Sequence, residues 1–194
     1  MLALILLFCP TAIAIESQVQ IAPTEKNVRT MLASMGCGVG LYRQWLLDYG
    51  SSAFPVYEKI LTDPKSKPVD VGRSLGILSS VGGDRTRFVR LAAHHLTSDN
   101  AGVRYQAAML VGQIGSSNEG IILVALLSDR DLAVVTAAAQ ALAATGGPRE
   151  LAAMDVWLKT ADHRNRELHL HVVKQREAFQ KRLDAEAKKL RDGG

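Results

Sequence analysis

Histidines, turn aspartates and a single mid-chain thiol are the residues in this chain whose types suit chemistry. His94 and His95 are adjacent. Neighbours on a helix point about 100° apart, so the pair does not converge on one metal ion. His169 and His171 are two apart and split across a helix in the same way, and His163 sits too far round to complete a triad. A metal site needs ligands that meet from one side. Asp129 and Asp131 fall in a turn, where side-chain capping of the next helix is their ordinary work. Cys37 has no His or Lys nearby to lower its pKa, and reads as a small buried hydrophobe. The cluster Gly36-Cys37-Gly38-Val39-Gly40 lacks the preceding strand and the Lys-Ser/Thr pair that a phosphate-cradling loop requires. No nucleophile motif, paired-carboxylate signature or cofactor motif is present. The residues point away from catalysis, with no metal and no cofactor.

The elements that carry these residues are helical. Hydrophobic residues make up 47% of the 194 residues and aromatics 5%, so Ala and Leu fill the core, as in closely packed helices. Net charge is +4, and most of the excess lies between Asp162 and Asp192, with nine Lys and Arg against six Asp and Glu. The rest is nearly neutral, without the basic stripe of a nucleic-acid binder.

One pattern repeats. Asp99 to Gly115 runs from an Asp-rich turn into an apolar helix that ends in Gly, and Asp129 to Gly146 does the same. A looser copy spans Asp63 to Gly82. The period is roughly 30–36 residues, in the range of stacked helical repeats. A single helix pair cannot bury its apolar face, so such pairs must stack.

Periodicity predicts the helices. Thr24 caps a helix from Lys26 to about Met35. Leu41–Tyr49 forms another, and Ser51 or Ser52 caps the next, with Pro55 in its first turn. Pro68 opens a helix that ends at Gly82-Gly83, and its partner runs from Arg85 to about Leu96. Ser116 and Glu119 have the spacing of a capping box before a helix from Ile121 to Leu127. The stretch 132–145 carries no charge and must be buried on most sides. Pro148 starts a helix with Leu151, Met154, Trp157 and Leu158 on one face. From His163 to Arg191 a long amphipathic helix carries Leu168, Val172, Phe179, Leu183, Ala187 and Leu190 in one stripe, with Arg176 interrupting it. This helix caps the stack, meets a partner or a second copy as a coiled coil, or lies on a membrane surface.

The N-terminus reads as a targeting signal. Leu2 to Phe8 is an unbroken apolar run, followed by Pro10 and by Ala12-Ile13-Ala14, which suits signal-peptidase cleavage. A positively charged n-region is missing. The run is shorter than the roughly 20 residues needed to span a bilayer.

Val103, Arg104, Ala107, Ala108, Leu110, Gly112 and Gly115, preceded by Asp99, resemble the first helix of a HEAT repeat, more narrowly the short bacterial type found in phycobilin-lyase-like proteins. The next copy keeps Asp129, Val134, Ala138, Ala139, Leu142 and Gly146 but has Val135 where that family prefers Arg. The resemblance implies an all-α, right-handed α-solenoid. It implies no reaction: the His-Glu dipeptides of HEAT-type di-iron hydroxylases are absent. A signal peptide disagrees with a chromophore lyase, and the neutral core with a HEAT-like DNA glycosylase. The resemblance also implies a concave face lined by second helices, which makes Tyr57, Lys59, Arg87, Arg90, His94, Trp157 and Lys159 the candidate protein-binding residues.

The expected organisation is a signal peptide at 1–14, a flexible segment at 15–25, a HEAT-like repeat domain at 26–160 and a long basic amphipathic helix at 161–194. The expected function is that of a non-enzymatic, exported scaffold, periplasmic or extracellular, that binds a protein or peptide. Nucleic acid is not an expected partner, and no transmembrane span is expected in the mature chain. Two alternatives stand beside this reading. One is an oligomeric or membrane-proximal structural protein that self-associates through the last helix. The other is an enzyme accessory subunit.

Overall fold

Ten α-helices make up the computed structural model, which describes residues 22–35, 40–81, 84–115, 119–161 and 165–192. They are α1 (Glu25–Ser34), α2 (Gly40–Asp48), α3 (Phe54–Thr62), α4 (Pro68–Leu78), α5 (Arg85–His95), α6 (Ala101–Ile114), α7 (Gly120–Leu126), α8 (Leu132–Thr145), α9 (Pro148–Thr160) and α10 (Arg166–Asp192). No strand occurs among the described residues, and no helix there is long and apolar enough to cross a membrane. The targeting signal at 1–14, most of the 15–25 segment, Cys37, Gly82-Gly83, Ser116 and His163 lie outside the described residues.

Local chemistry starts the helices where the pattern predicts. Thr24 accepts from Asn27 N and Asp84 from Arg87 N, while Asn100 accepts from Val103 N and Asp131 from Ala133 N and Val134 N. Pro68 and Pro148 occupy first positions, where no helical N–H is lost. One expected cap does not form. Gly50, at φ 52°, turns the chain after α2, and Gly50–Ala53 winds into a 3-10 turn that leads straight into α3. The α3 cap is Ala53, without a side-chain bond, and the Ser52 hydroxyl donates back to Tyr49 O at 2.6 Å. At α7 the cap is Glu119, again without a side-chain bond to the helix.

Nine of these helices stack in two rows, and α2 packs on α1 and α4. The first row is α1, α4, α6, α8 and α10, each packed on the next. In the second row α3 packs on α5 and α7 on α9, and each leans on the first-row helix that follows it. Small residues set the close spacing of the first row. Gly112 of α6 faces Ala141 of α8, where a Cβ would come within 2.7 Å of Ala141 Cα. The chargeless α8 is buried along most of its length, from Val134 to Ala143. One core runs continuously from Val28 in α1 to Phe179 in α10. The result is an all-α, HEAT-like solenoid.

At its 27 residues α10 is about 40 Å long, nearly twice the length of α8. Val172 and Phe179 are buried against α8 and α9, and Leu168 and Leu183 are partly buried. Beyond them the stripe ends in open solvent, with Leu190 81% exposed. Arg176, which interrupts the stripe, pairs with Asp155 of α9 through contacts of 2.7 and 3.1 Å. Arg182 donates to Ala143 O at 2.9 Å and to Gly146 O, satisfying carbonyls at the C-terminus of α8, and its guanidinium lies 5.1 Å from the Phe179 ring centre. The last helix therefore caps the end of the stack.

Candidate functional site

A groove of about 630 Å³ opens along the first-row face, between α4 and α6. The sequence builds it by leaving out side chains: Gly72 and Gly76 on α4 and Gly102 on α6 line its course. From α6, Gln106 lies across Gly76, its Oε1 3.1 Å from where a Cβ would sit, and Gln113 follows two turns on. Neither carboxamide makes a hydrogen bond among the described residues. Pro68 and Val69 at the start of α4, with Asn100 at the α6 cap, form one end. Ser79, Ser80 and Arg43 form the other.

Two guanidiniums enter the groove. Arg73 donates through Nη1 to Leu32 O and, at 3.1 Å, to Ala33 O, satisfying carbonyls at the end of α1. Arg43 donates through Nη2 to Ser80 Oγ at 3.0 Å. Among the described residues, no Asp or Glu lines the groove. The N-termini of α4 and α6, the positive ends of their dipoles, meet at the Val69–Gly102 end.

A smaller pocket of about 220 Å³ lies under the α3–α4 turn and includes His94, His95 and Asp63. His95 Nε2 stands 3.0 Å from Leu61 O. A carbonyl only accepts, so Nε2 carries the proton and the ring is held as that tautomer. Burial pushes the His95 pKa below the ordinary histidine range. His94 is exposed, its ring edge-on to that of His95 with 5.5 Å between centres. Among the described residues, no three His, Cys, Asp or Glu gather closely enough to hold a metal ion.

The turn aspartates have separate roles. Asp131 caps α8. Asp129 meets Arg104 of α6 in a bidentate pair, 2.7 Å on each contact, and also accepts from Asp131 N. Arg104 lowers the Asp129 carboxyl pKa below its usual range. Arg104 further donates to Ser98 O and Asp99 O, tying one inter-repeat turn to the next. An earlier copy of this device was missed in sequence. Val28-Arg29 repeats the Val103-Arg104 dipeptide, and Arg29 reaches the turn residue Asp63 at 3.6 Å, Asp70 at 3.8 Å and Glu25 at 2.9 Å. Matching the Val-Arg dipeptide finds it, together with Val89-Arg90 of α5, whose arginine is exposed.

The seven residues expected on a binding face do not form one surface. Tyr57 is fully buried, its hydroxyl donating to Leu46 O at 3.2 Å, and belongs to the core. Lys59 pairs with Glu25 at 2.6 Å, and Arg87 makes a two-contact pair with Glu58. Trp157 is half-buried against the core, and Lys159 is exposed on the same helix, α9. Arg90 and His94 are exposed on α5. The intervening α7 separates the α5 residues from those of α9.

The comparisons agree with the stacked architecture. Residues 86–171, from α5 into α10, match the family model described as HEAT repeats. No curated protein matches the chain.

Proposed function

We propose that this chain, a HEAT-repeat protein by residues 86–171, is a non-enzymatic scaffold that binds an extended segment of another polypeptide in the α4–α6 groove. HEAT repeats generally serve as protein-interaction scaffolds. The groove carries this reading: its floor is glycine, and the Gln106 and Gln113 carboxamides are free to pair with a peptide backbone. A carboxamide both donates and accepts, so it matches the N–H and C=O of an extended chain. This moves the binding site from the second helices to the first. On the second row, two of the expected contacts are already paired within the chain and a third is core.

Export is part of the proposal and rests on Leu2–Phe8 followed by Ala12-Ile13-Ala14. N-terminal sequencing of the protein recovered from its native cells tests it: a start near Ile15 supports export, and a retained Met1 in the cytosol overturns it.

The binding claim is tested by panning a random-peptide display library on the chain and on three variants. Val69→Trp and Gln113→Trp fill the groove from exposed positions, and Arg90→Trp alters the second row. Peptides that lose both groove variants and keep Arg90→Trp place binding in the groove. The reverse pattern returns it to the second helices.

A further inference from the structure

We propose that the occupant of the α4–α6 groove is acidic, an extended polypeptide segment whose carboxylates are held by Arg43 and Arg73; this rests on the polypeptide reading above. The observation is a contrast among arginines. Arg29, Arg87, Arg104, Arg176 and Arg182 pack between or along helices, and each meets a carboxylate of this chain. Arg43 and Arg73 bind only neutral oxygens, a serine hydroxyl in one case and backbone carbonyls in the other; Arg130, exposed in the α7–α8 turn, likewise meets only the Asp99 carbonyl, and what sets the first two apart is that they line one groove together. Neither has any other partner among the described residues. Among the described residues, the groove they share contains no Asp or Glu.

Their hydrogen bonds leave room for a ligand. A guanidinium has five N–H donors in a planar fork. Arg73 spends Nη1 on the α1 carbonyls, which fixes its plane and leaves Nε and Nη2 free. Arg43 spends Nη2 on Ser80. Each retains enough of its fork to take a carboxylate, the geometry for which Arg is best suited. The helix N-termini at the Val69–Gly102 end add positive potential of the same sign.

Length and lining define the class further. From Pro68 to Ser80 the groove follows α4 for about 18 Å, the reach of about five extended residues. Such a segment presents backbone amides to Gln106 and Gln113 and side-chain carboxylates to the two arginines. A nucleic-acid strand fits worse. Among the described residues, the lining has no aromatic ring on which a base stacks, and its two cations are few for a phosphate backbone.

The test uses peptides selected by panning on the whole chain and measures their binding by fluorescence anisotropy. The variants are Arg43→Gln and Arg43→Glu, and a fluorescein-labelled single-stranded RNA is run in parallel. Arg43 bonds only an exposed Ser80, so its removal should leave the fold intact, which a circular-dichroism melt verifies. The proposal expects selected peptides rich in Asp and Glu. Their dissociation constants rise about tenfold in Arg43→Gln, the scale of one charge-assisted contact. Panning on Arg43→Glu should shift selection toward Lys and Arg. Neutral or basic peptides that are blocked by Gln113→Trp overturn the acidic occupant and leave the polypeptide reading standing. Unchanged affinity in Arg43→Gln, or RNA bound more tightly than the peptides, also overturns it. No enrichment at all overturns both readings.

Discussion

Arg104 and Asp129 meet side by side across the step from α6 to α8, two contacts of 2.7 Å with both side chains more than nine-tenths out of solvent. The pair joins the first turn of one repeat helix to the turn that opens the next. Breaking it leaves a buried charge without a partner. Arg104→Ala and Asp129→Asn should each cost about 3–5 kcal/mol of unfolding free energy, measured by urea titration. The double variant should cost clearly less than the sum, which a double-mutant cycle reads directly. Equal and additive small losses would show that the contact is an exposed pair of little weight.

The same pair sets a pH dependence. Arg104 holds the Asp129 carboxyl below its usual range, against the opposing effect of burial. A carboxyl whose pKa is lower folded than unfolded stabilises above its unfolded pKa of about 4 and loses that contribution as pH falls through the folded value. Stability of the wild-type chain should therefore decline below about pH 4, and Asp129→Asn should flatten that decline.

His95 gives a second, higher window. Burial lowers its pKa, so the unfolded chain takes up a proton before the folded one does. Stability should be full above about pH 6.5 and fall as pH drops below it, because the unfolded state then binds more protons. His95→Gln keeps a donor for Leu61 O and removes the titration. Melting temperatures from pH 8 to pH 5 should slope downward in the wild type and lie flatter in the variant.

Two glycines in neighbouring first-row helices should respond to alanine with opposite sign. At Gly112 a Cβ falls 2.7 Å from Ala141 Cα, and backbone must move. Overpacking of about 1–3 kcal/mol outweighs the helix-propensity gain of about 1 kcal/mol. At Gly72 the nearest atoms stand at 3.8 Å or beyond, an ordinary contact, so Gly72→Ala should stabilise by about 0.5–1 kcal/mol. Chemical denaturation of the two variants separates them.

The end cap should divide α10 functionally. Phe179 is fully buried and packs on Gly146, where a Cβ would come within 2.5 Å of its ring. Phe179→Ala should cost about 3–5 kcal/mol. Truncation after Leu183 removes only exposed turns and should leave the melting temperature unchanged. A large loss from that truncation would contradict the cap as drawn.

Much of the solenoid is legible in sequence because its determinants are local. The Asp131 cap, Pro68, the chargeless run of α8 and the Leu168–Leu183 stripe each belong to a single helix or its cap. The site was less legible because its determinants cross between helices. Arg73 reaches α1 and Arg43 reaches the end of α4, contacts that no periodicity encodes. Arg176 interrupts an apolar stripe in sequence, yet in the fold its partner is Asp155 on another helix. Its place on a second helix puts Tyr57 on the expected concave face, but in the fold the ring is buried and its hydroxyl is spent on a core carbonyl, Leu46 O. On the second row, Lys59 and Arg87 read as free cations in sequence, and the fold brings Glu25 and Glu58 to them.

The central claim is that a polypeptide lies along α4 and α6. Hydrogen-exchange mass spectrometry of the whole chain, with and without a panned acidic peptide, measures this directly. New protection should be confined to residues 68–80 and 100–113 and be absent when Gln113→Trp fills the groove. Protection that appears instead over α5 and α9, with the groove unchanged, would contradict it.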